Sequence, residues 1–175
     1  KDQFKLSAGT GLAVFEAIKD LNINKLKLKW PNDIMAANKK IGGILIENII
    51  SGGRIGASII GIGLNVNQTF FPELPGAGSL KMLTGKNYDL EEVLQKLLDH
   101  LSVTIQAISE GKKDDIIQEY EEVLFRRNIV STFQKNDNSL FTGKIKGVTP
   151  AGLLQILMED EILQTFELKQ VKLLY

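Results

Sequence analysis

The sequence has no cysteine and only one histidine in 175 residues. Disulfide staples, thiolate nucleophiles, Cys-based zinc sites and His-rich metal cages are therefore excluded. It also lacks a charge of one sign, because 21 Lys and Arg balance 21 Asp and Glu. That removes the bulk attraction to nucleic acid or anionic membrane, so DNA binding finds no support and recognition has to be local. No apolar run reaches the roughly 18 residues of a membrane helix, since Lys, Asn and Gly interrupt each one. A soluble, cytoplasmic protein is expected. The chain opens Lys1-Asp2-Gln3 without Met or a signal-peptide h-region, so its natural N-terminus is expected to lie upstream. What remains is an ordinary globular composition, 43% hydrophobic and 24% charged, long enough to bury roughly 70% of its unfolded surface. Any catalysis must use Lys, carboxylates, amides and backbone.

From Ser7 to about Leu21, Ala13, Val14, Ala17, Ile18 and Leu21 recur at three- and four-residue spacing and predict a helix, ended by Asn22 and Asn24. Lys25 to Trp30 alternates strictly, with Leu26, Leu28 and Trp30 on one strand face and three lysines on the other, until Pro31 stops it. Ile34-Met35-Ala36 and Ile41 to Ile46 flank Asn38-Lys39 as a hairpin, Ser51 to Arg54 forms a tight turn, and Ile55 to Val66 is one further strand. Residues 67–87 read as a surface loop. Asp89 is placed to cap a helix striped by Val93, Leu97, Leu101, Ile105 and Ile108 and ending at Gly111, and a second helix runs from Asp114 to Phe125. After Arg126-Arg127-Asn128 come short β-like runs at 129–133, 140–148, 153–158, 162–166 and 171–174, which predict a small barrel. A domain boundary is placed near residue 127.

Three segments carry unusual chemistry. In Lys29-Trp30-Pro31-Asn32-Asp33 a strand stops and offers an amide and a carboxylate, a good site on a rigid sheet, although Pro-Asn-Asp is also ordinary turn chemistry. Lys40 precedes Ile41-Gly42-Gly43, so a ligand can lie against bare backbone while an ammonium reaches its anionic group; a solvated turn lysine, as read for Lys39, is the plain alternative. Gly61-Ile62-Gly63-Leu64-Asn65 pairs close-approach glycines with an amide suited to a base edge, but it lacks the third glycine and the following helix of a dinucleotide fingerprint.

Taken together, Lys29 to Asp33, Lys40-Ile41-Gly42-Gly43-Ile44-Leu45-Ile46-Glu47 and Gly61 to Asn67 resemble, in order, the successive signatures of biotin protein ligases. The helix near Ala13, the loop from Ser79-Leu80 to Thr84-Gly85 and the closing β segment extend the resemblance over essentially the whole chain. It implies an α+β fold, a mixed sheet with helices on one side, followed by a small SH3-like barrel. It also implies a two-step reaction in which biotin and ATP, with Mg²⁺, give biotinyl-5′-adenylate, and a lysine of a biotin carboxyl carrier protein then takes the acyl group. By motif matching, Lys40 corresponds to the lysine contacting the biotin carboxylate and adenylate phosphate, and Asn65 to the reader of adenine. Asn32 and Asp33 correspond to a pocket-organising pair, with Asp33 alternatively serving the metal, and Gly42, Gly43, Gly61 and Gly63 to backbone-lined biotin contacts. A homodimer is compatible with the resemblance.

The family's Gly/Arg-rich loop and first biotin-binding strands have no counterpart here. Residues 1–127 thus read as a partial catalytic domain and 128–175 as the barrel, with an apolar patch left exposed and no carrier biotinylation expected from this chain alone. A lipoate ligase or acyltransferase of related architecture, or a non-catalytic interaction or regulatory module, are the alternatives. His100 reads as a half-buried surface residue rather than a metal ligand, Trp30 as core, the lysine face as solvated, and Glu121-Glu122 with Arg126-Arg127 as surface charge around a helix end.

Overall fold

The structure is a computed structural model and describes residues 2–52, 54–113 and 115–175. Gly53 of the predicted turn and Asp114 of the predicted helix start lie outside the described residues. The first half is built on a long helix, α1 (Asp2–Lys19), followed by β1 (Leu26–Lys29), β2 (Asp33–Ala36), β3 (Lys39–Ser51) and β4 (Arg54–Leu64). These four strands pair in sequence order, all antiparallel. The α+β organisation expected from the sequence is present. The strand directions differ from the mixed sheet expected, because short connections join each strand to the next and such connections permit only antiparallel neighbours.

The helix starts earlier than the apolar spacing predicts and stops two residues sooner. Leu21 and Asn22 donate back to Ile18 and Lys19, and Asn22 takes a positive φ of 58°, which a short polar side chain tolerates. Its glycines are packing points. A Cβ on Gly9 would sit 2.6 Å from Ile108 Cδ1, and one on Gly11 3.2 Å from Leu28 Cδ1. So α1 presses against β1 on one flank and against α3 (Leu90–Ser109) on another. Asp89 caps α3 as expected, accepting from the backbone N–H of Glu91 and Glu92. The residues between β4 and α3 are not all loop: Ser79 caps a short helix, α2 (Leu80–Thr84). The second helix of the sequence reading is shorter than expected, α4 (Ile116–Glu122), and Asp115 gives it no side-chain cap.

The second half is a five-stranded antiparallel sheet of β5 (Val130–Lys135), β6 (Leu140–Val148), β7 (Leu154–Met158), β8 (Leu163–Phe166) and β9 (Val171–Leu174), in the order β8-β7-β6-β5-β9. Its boundaries follow the predicted runs within one residue, apart from β5, which extends two residues further. Phe133, Phe141 and Phe166 stack through its centre, with ring centroids 5.3 and 5.6 Å apart. Leu45, Ile49, Ile50 and Ile59 of the long β3–β4 hairpin are each more than half exposed. None of the described helices is long and apolar enough to cross a membrane.

Candidate functional site

The three chemistry-bearing segments meet on one face of the first sheet. Strand pairing sets Asp33 opposite Gly43, Gly43 opposite Gly63, and Leu45 opposite Gly61. Residues directly opposed on antiparallel strands share a face, so Asp33, Gly43, Gly63, Leu45 and Gly61 form a floor. A Cβ on Gly63 would meet only the Gly43 carbonyl oxygen at 4.0 Å, and one on Gly61 only backbone and Cβ of Leu45 beyond 3.5 Å. The glycines here leave bare backbone facing open space.

Alternation along β3 would put Lys40 on the opposite side from Gly43. A register shift between Ile34 and Met35 prevents this: Ile34 pairs with Gly42 and Met35 with Lys40, skipping Ile41. Such a bulge re-aims the side chains beyond it. Ile41 turns into the core, fully buried, and Lys40 swings onto the glycine floor, its Nζ 3.6 Å from where a Gly43 Cβ would stand. Gly42 faces the other way. A Cβ there would lie 2.7 Å from the Gly63 carbonyl oxygen and 3.3 Å from Ile34 and Leu64, so this glycine serves close packing beneath the floor.

The Lys40 ammonium lies 2.5 Å from Asp33 Oδ1, while Asp33 Oδ2 accepts from Lys29 Nζ at 3.2 Å. The carboxylate is only 15% exposed and Lys29 20%, against 49% for Lys40, so the pair beneath is held and the upper ammonium remains reachable. The lysine face of β1 is thus not uniformly solvated, as the alternation implied. Lys29 is drawn in because Asp33, four residues on and across the turn, returns to the same place. A third group stands near: the Tyr120 hydroxyl on α4 is buried without a hydrogen-bond partner among the described residues, and burial first, then the Asp33 charge, push its pKa far up. The Tyr175 phenol is raised by the same two causes in the same order, with Lys40 opposing.

Asn32 is bound twice to β3, its Nδ2 donating to the Ile44 carbonyl at 2.7 Å and its own carbonyl accepting from Ile44 N at 2.9 Å. It fixes the turn between β1 and β2 against the floor. Asn65 closes the other end. Its N–H donates to Ile41 O, its carbonyl accepts from Leu80 N, and its Nδ2 donates to Gly78 O at 3.0 Å, leaving Oδ1 as the acceptor on a half-buried amide. The loop it holds runs beside Lys40 like a strand: Lys40 N donates to Gly76 O at 2.8 Å and Gly78 N to Lys40 O at 2.9 Å. Lys39 is exposed, as read, but donates to Pro75 O of the same loop. A cleft of about 570 Å³ opens next to the floor, between Lys29, Asn32 and Leu45 on one wall and Leu154, Leu168 and Leu173 on the other.

The other sequence readings resolve as follows. Trp30 is core, and its indole N–H donates to Gly152 O in the turn between β6 and β7 at 2.9 Å. His100 is half-buried and paired with Asp20 at 2.9 Å, whose carboxyl it holds below the usual range. Glu121 and Arg127 are not loose surface charge. Glu121 accepts from Arg127 Nη2 at 3.1 Å and from Val148 N at 2.9 Å, tying α4 to β6, because the absent side chain of Gly147 leaves it room. Sequence reasoning placed Lys29 in the first signature but on a solvated face, and it missed Tyr120 and Tyr175, which no local signal marks.

Residues 4–65 match the Biotin/lipoate A/B protein ligase family. Over 98 residues the chain is 38% identical to the bifunctional ligase/repressor BirA of Bacillus subtilis, covering 54% of this chain and 30% of that protein. It is 34% identical over 103 residues to the biotin–[acetyl-CoA-carboxylase] ligase of Mycobacterium tuberculosis, covering 57% of this chain and 37% of that one. It therefore spans about a third of the length of these relatives. The biotin protein ligase of Aquifex aeolicus, solved in complex with biotin and ATP, superposes with a TM-score of 0.78 at 29% identity, over 98% of this chain and 71% of that one. With the three signatures gathered on one glycine floor, the chain is similar in sequence and fold to biotin protein ligases.

Proposed function

We propose that this chain carries part of an ATP-dependent biotin protein ligase site. The observation that supports it most directly is the Lys40 ammonium, standing over the open Gly43–Gly63 floor and anchored from below by Asp33. In the first step a biotin carboxylate oxygen bonds the α-phosphorus of ATP as the bond to the β-phosphate oxygen breaks, releasing pyrophosphate. In the second, a neutral lysine amine of a biotin carboxyl carrier protein attacks the acyl carbon, AMP leaves and the amine's proton passes to solvent. Lys40 offsets the negative charge gathering between carboxylate and phosphate. Gly43, Gly61 and Gly63 let the ligand lie against backbone, Asn32 and Asp33 keep the floor and the lysine in place, and Asn65 Oδ1 accepts from the exocyclic amino group of adenine.

Mg²⁺ accompanies the nucleotide phosphates in this reading. The residues present do not fit a protein-held ion: both Asp33 oxygens face ammonium groups, and among the described residues no three His, Cys, Asp or Glu lie together. No step is assigned to it. Residues 1–127 belong to the catalytic part and 128–175 to an SH3-like barrel unit, in a cytoplasmic enzyme open to dimer formation. The test is biotin-dependent exchange of pyrophosphate into ATP by the full-length protein, beside calorimetric titration of biotin and lipoate. Lys40→Ala is expected to slow exchange by roughly 10²-fold or more, with biotin and not lipoate giving binding heat. Exchange unaffected by Lys40→Ala, or heat with lipoate alone, overturns the assignment.

A further inference from the structure

The second half of the chain reaches the Lys29–Asp33–Lys40 group with Tyr175. Tyr175, directly after β9, presents its ring to Lys29, whose Nζ stands 5.3 Å from the ring centroid. The ring is itself fixed. It meets Phe125 edge-on at 5.2 Å, its hydroxyl lies 4.0 Å from Met35 Sδ, and Phe125 N donates to Leu28 O at 2.7 Å, one residue from Lys29. Lys29 is thus held between an aromatic face and the Asp33 carboxylate, and Asp33 is shared between Lys29 and Lys40.

We propose that Tyr175 is a positioning residue for Lys40, acting through Lys29 and Asp33. Both ammonium groups compete for one carboxylate. While the ring keeps Lys29 at Oδ2, part of the Asp33 charge is answered from below, and the half-exposed Lys40 ammonium, 2.5 Å from Oδ1, shares the carboxylate rather than taking all of its charge, which leaves it freer to turn to an anionic ligand group. Without the ring, Lys29 has less reason to stay in a place that is four-fifths covered. Asp33 then falls to Lys40 alone and pins its ammonium down, at a depth where charge interactions are stronger than in bulk water. A cation over an aromatic face contributes enough to shift such a balance by about 2- to 5-fold.

This inference rests on the proposed role of Lys40 for its catalytic meaning, but its geometry is testable without it. The first measurement is competitive acylation of the 175-residue chain with an amine-reactive acetylating reagent, read by mass spectrometry as Lys40 labelling relative to its exposed neighbour Lys39. Tyr175→Leu and Lys29→Met are each expected to lower that ratio about 2- to 5-fold, whereas Tyr175→Phe, which keeps the ring, leaves it at the wild-type value. A general loosening of the fold would raise labelling at both lysines. The second measurement is pyrophosphate exchange by the full-length protein, where Tyr175→Leu should lower kcat by a similar factor with the KM for biotin unchanged and Tyr175→Phe should restore it. Equal ratios in wild type, Tyr175→Leu and Lys29→Met, or an equal fall in Tyr175→Phe, overturn the proposal. The expected ratios without any biotin-dependent exchange uphold the positioning and refute the ligase reading instead.

Discussion

The two sheets use glycine for opposite ends. In the first, Gly61 and Gly63 expose backbone, and an added Cβ would find space. In the second, a Cβ on Gly143 would stand 2.6 Å from Ile156 Cγ2 and 2.9 Å from Leu157 O, and in its β6–β7 turn one on Gly152 would stand 2.5 Å from the Phe4 ring. One sheet keeps glycine so that something else can come close; the other keeps it because something already has. Removal of a side chain is therefore a sign of a ligand only where the vacated space is not filled by the protein itself.

Substitution should separate these two uses cleanly. Gly63→Val places a β-branched side chain on a strand that favours it, with room to stand. The expected result is an unchanged melting temperature and biotin affinity lowered by about 5- to 150-fold, the range that overpacking a contact surface by about 1–3 kcal/mol implies. A weakened fold with intact affinity would place Gly63 with the packing glycines. Gly143→Ala should do the reverse, destabilising the chain by about 1–3 kcal/mol in urea titration while biotin binding of the folded protein is preserved. On α4, with its ring edge-on to Phe4 of α1, Tyr120 has a buried hydroxyl with no hydrogen-bond partner among the described residues. Tyr120→Phe removes a desolvated donor without opening a cavity and should raise stability by about 1 kcal/mol; a loss measured in the same titration would mean that the hydroxyl is engaged in solution.

Local pattern made much of this architecture legible. The alternation of Leu26 and Leu28, the Asp89 cap and the five short runs after residue 129 all predicted their elements, because each depends on periodicity or on neighbours within one turn. The identity of Lys40, Asn65, Gly43, Gly61 and Gly63 as site candidates was legible through motif order, whereas Gly42 of the same motif packs beneath the floor. How Lys40 comes to face Gly43 was not: it depends on a one-residue register shift against β2, which no alternation announces. Lys29 was misjudged for a related reason, since its covering comes from a ring 146 positions away in the chain. Glu121 likewise looked like surface charge, and only the bare backbone of Gly147 on another element makes room for it.

The strand-like run of residues 76–78 beside Lys40 has an entropic consequence. With its N–H given to Gly76 and its carbonyl taken by Gly78 on one flank, and β2 on the other, the lysine's main chain sits in the interior of a ladder rather than at a rim. Freezing a backbone unit costs about 1–2 kcal/mol, and here folding has met that cost before any ligand arrives. An incoming anion has only the side-chain torsions left to order. The reach of the ammonium is therefore set by four rotatable bonds on a fixed post, so substitutions that loosen Gly76 to Gly78 should weaken binding through disorder while touching no ligand atom.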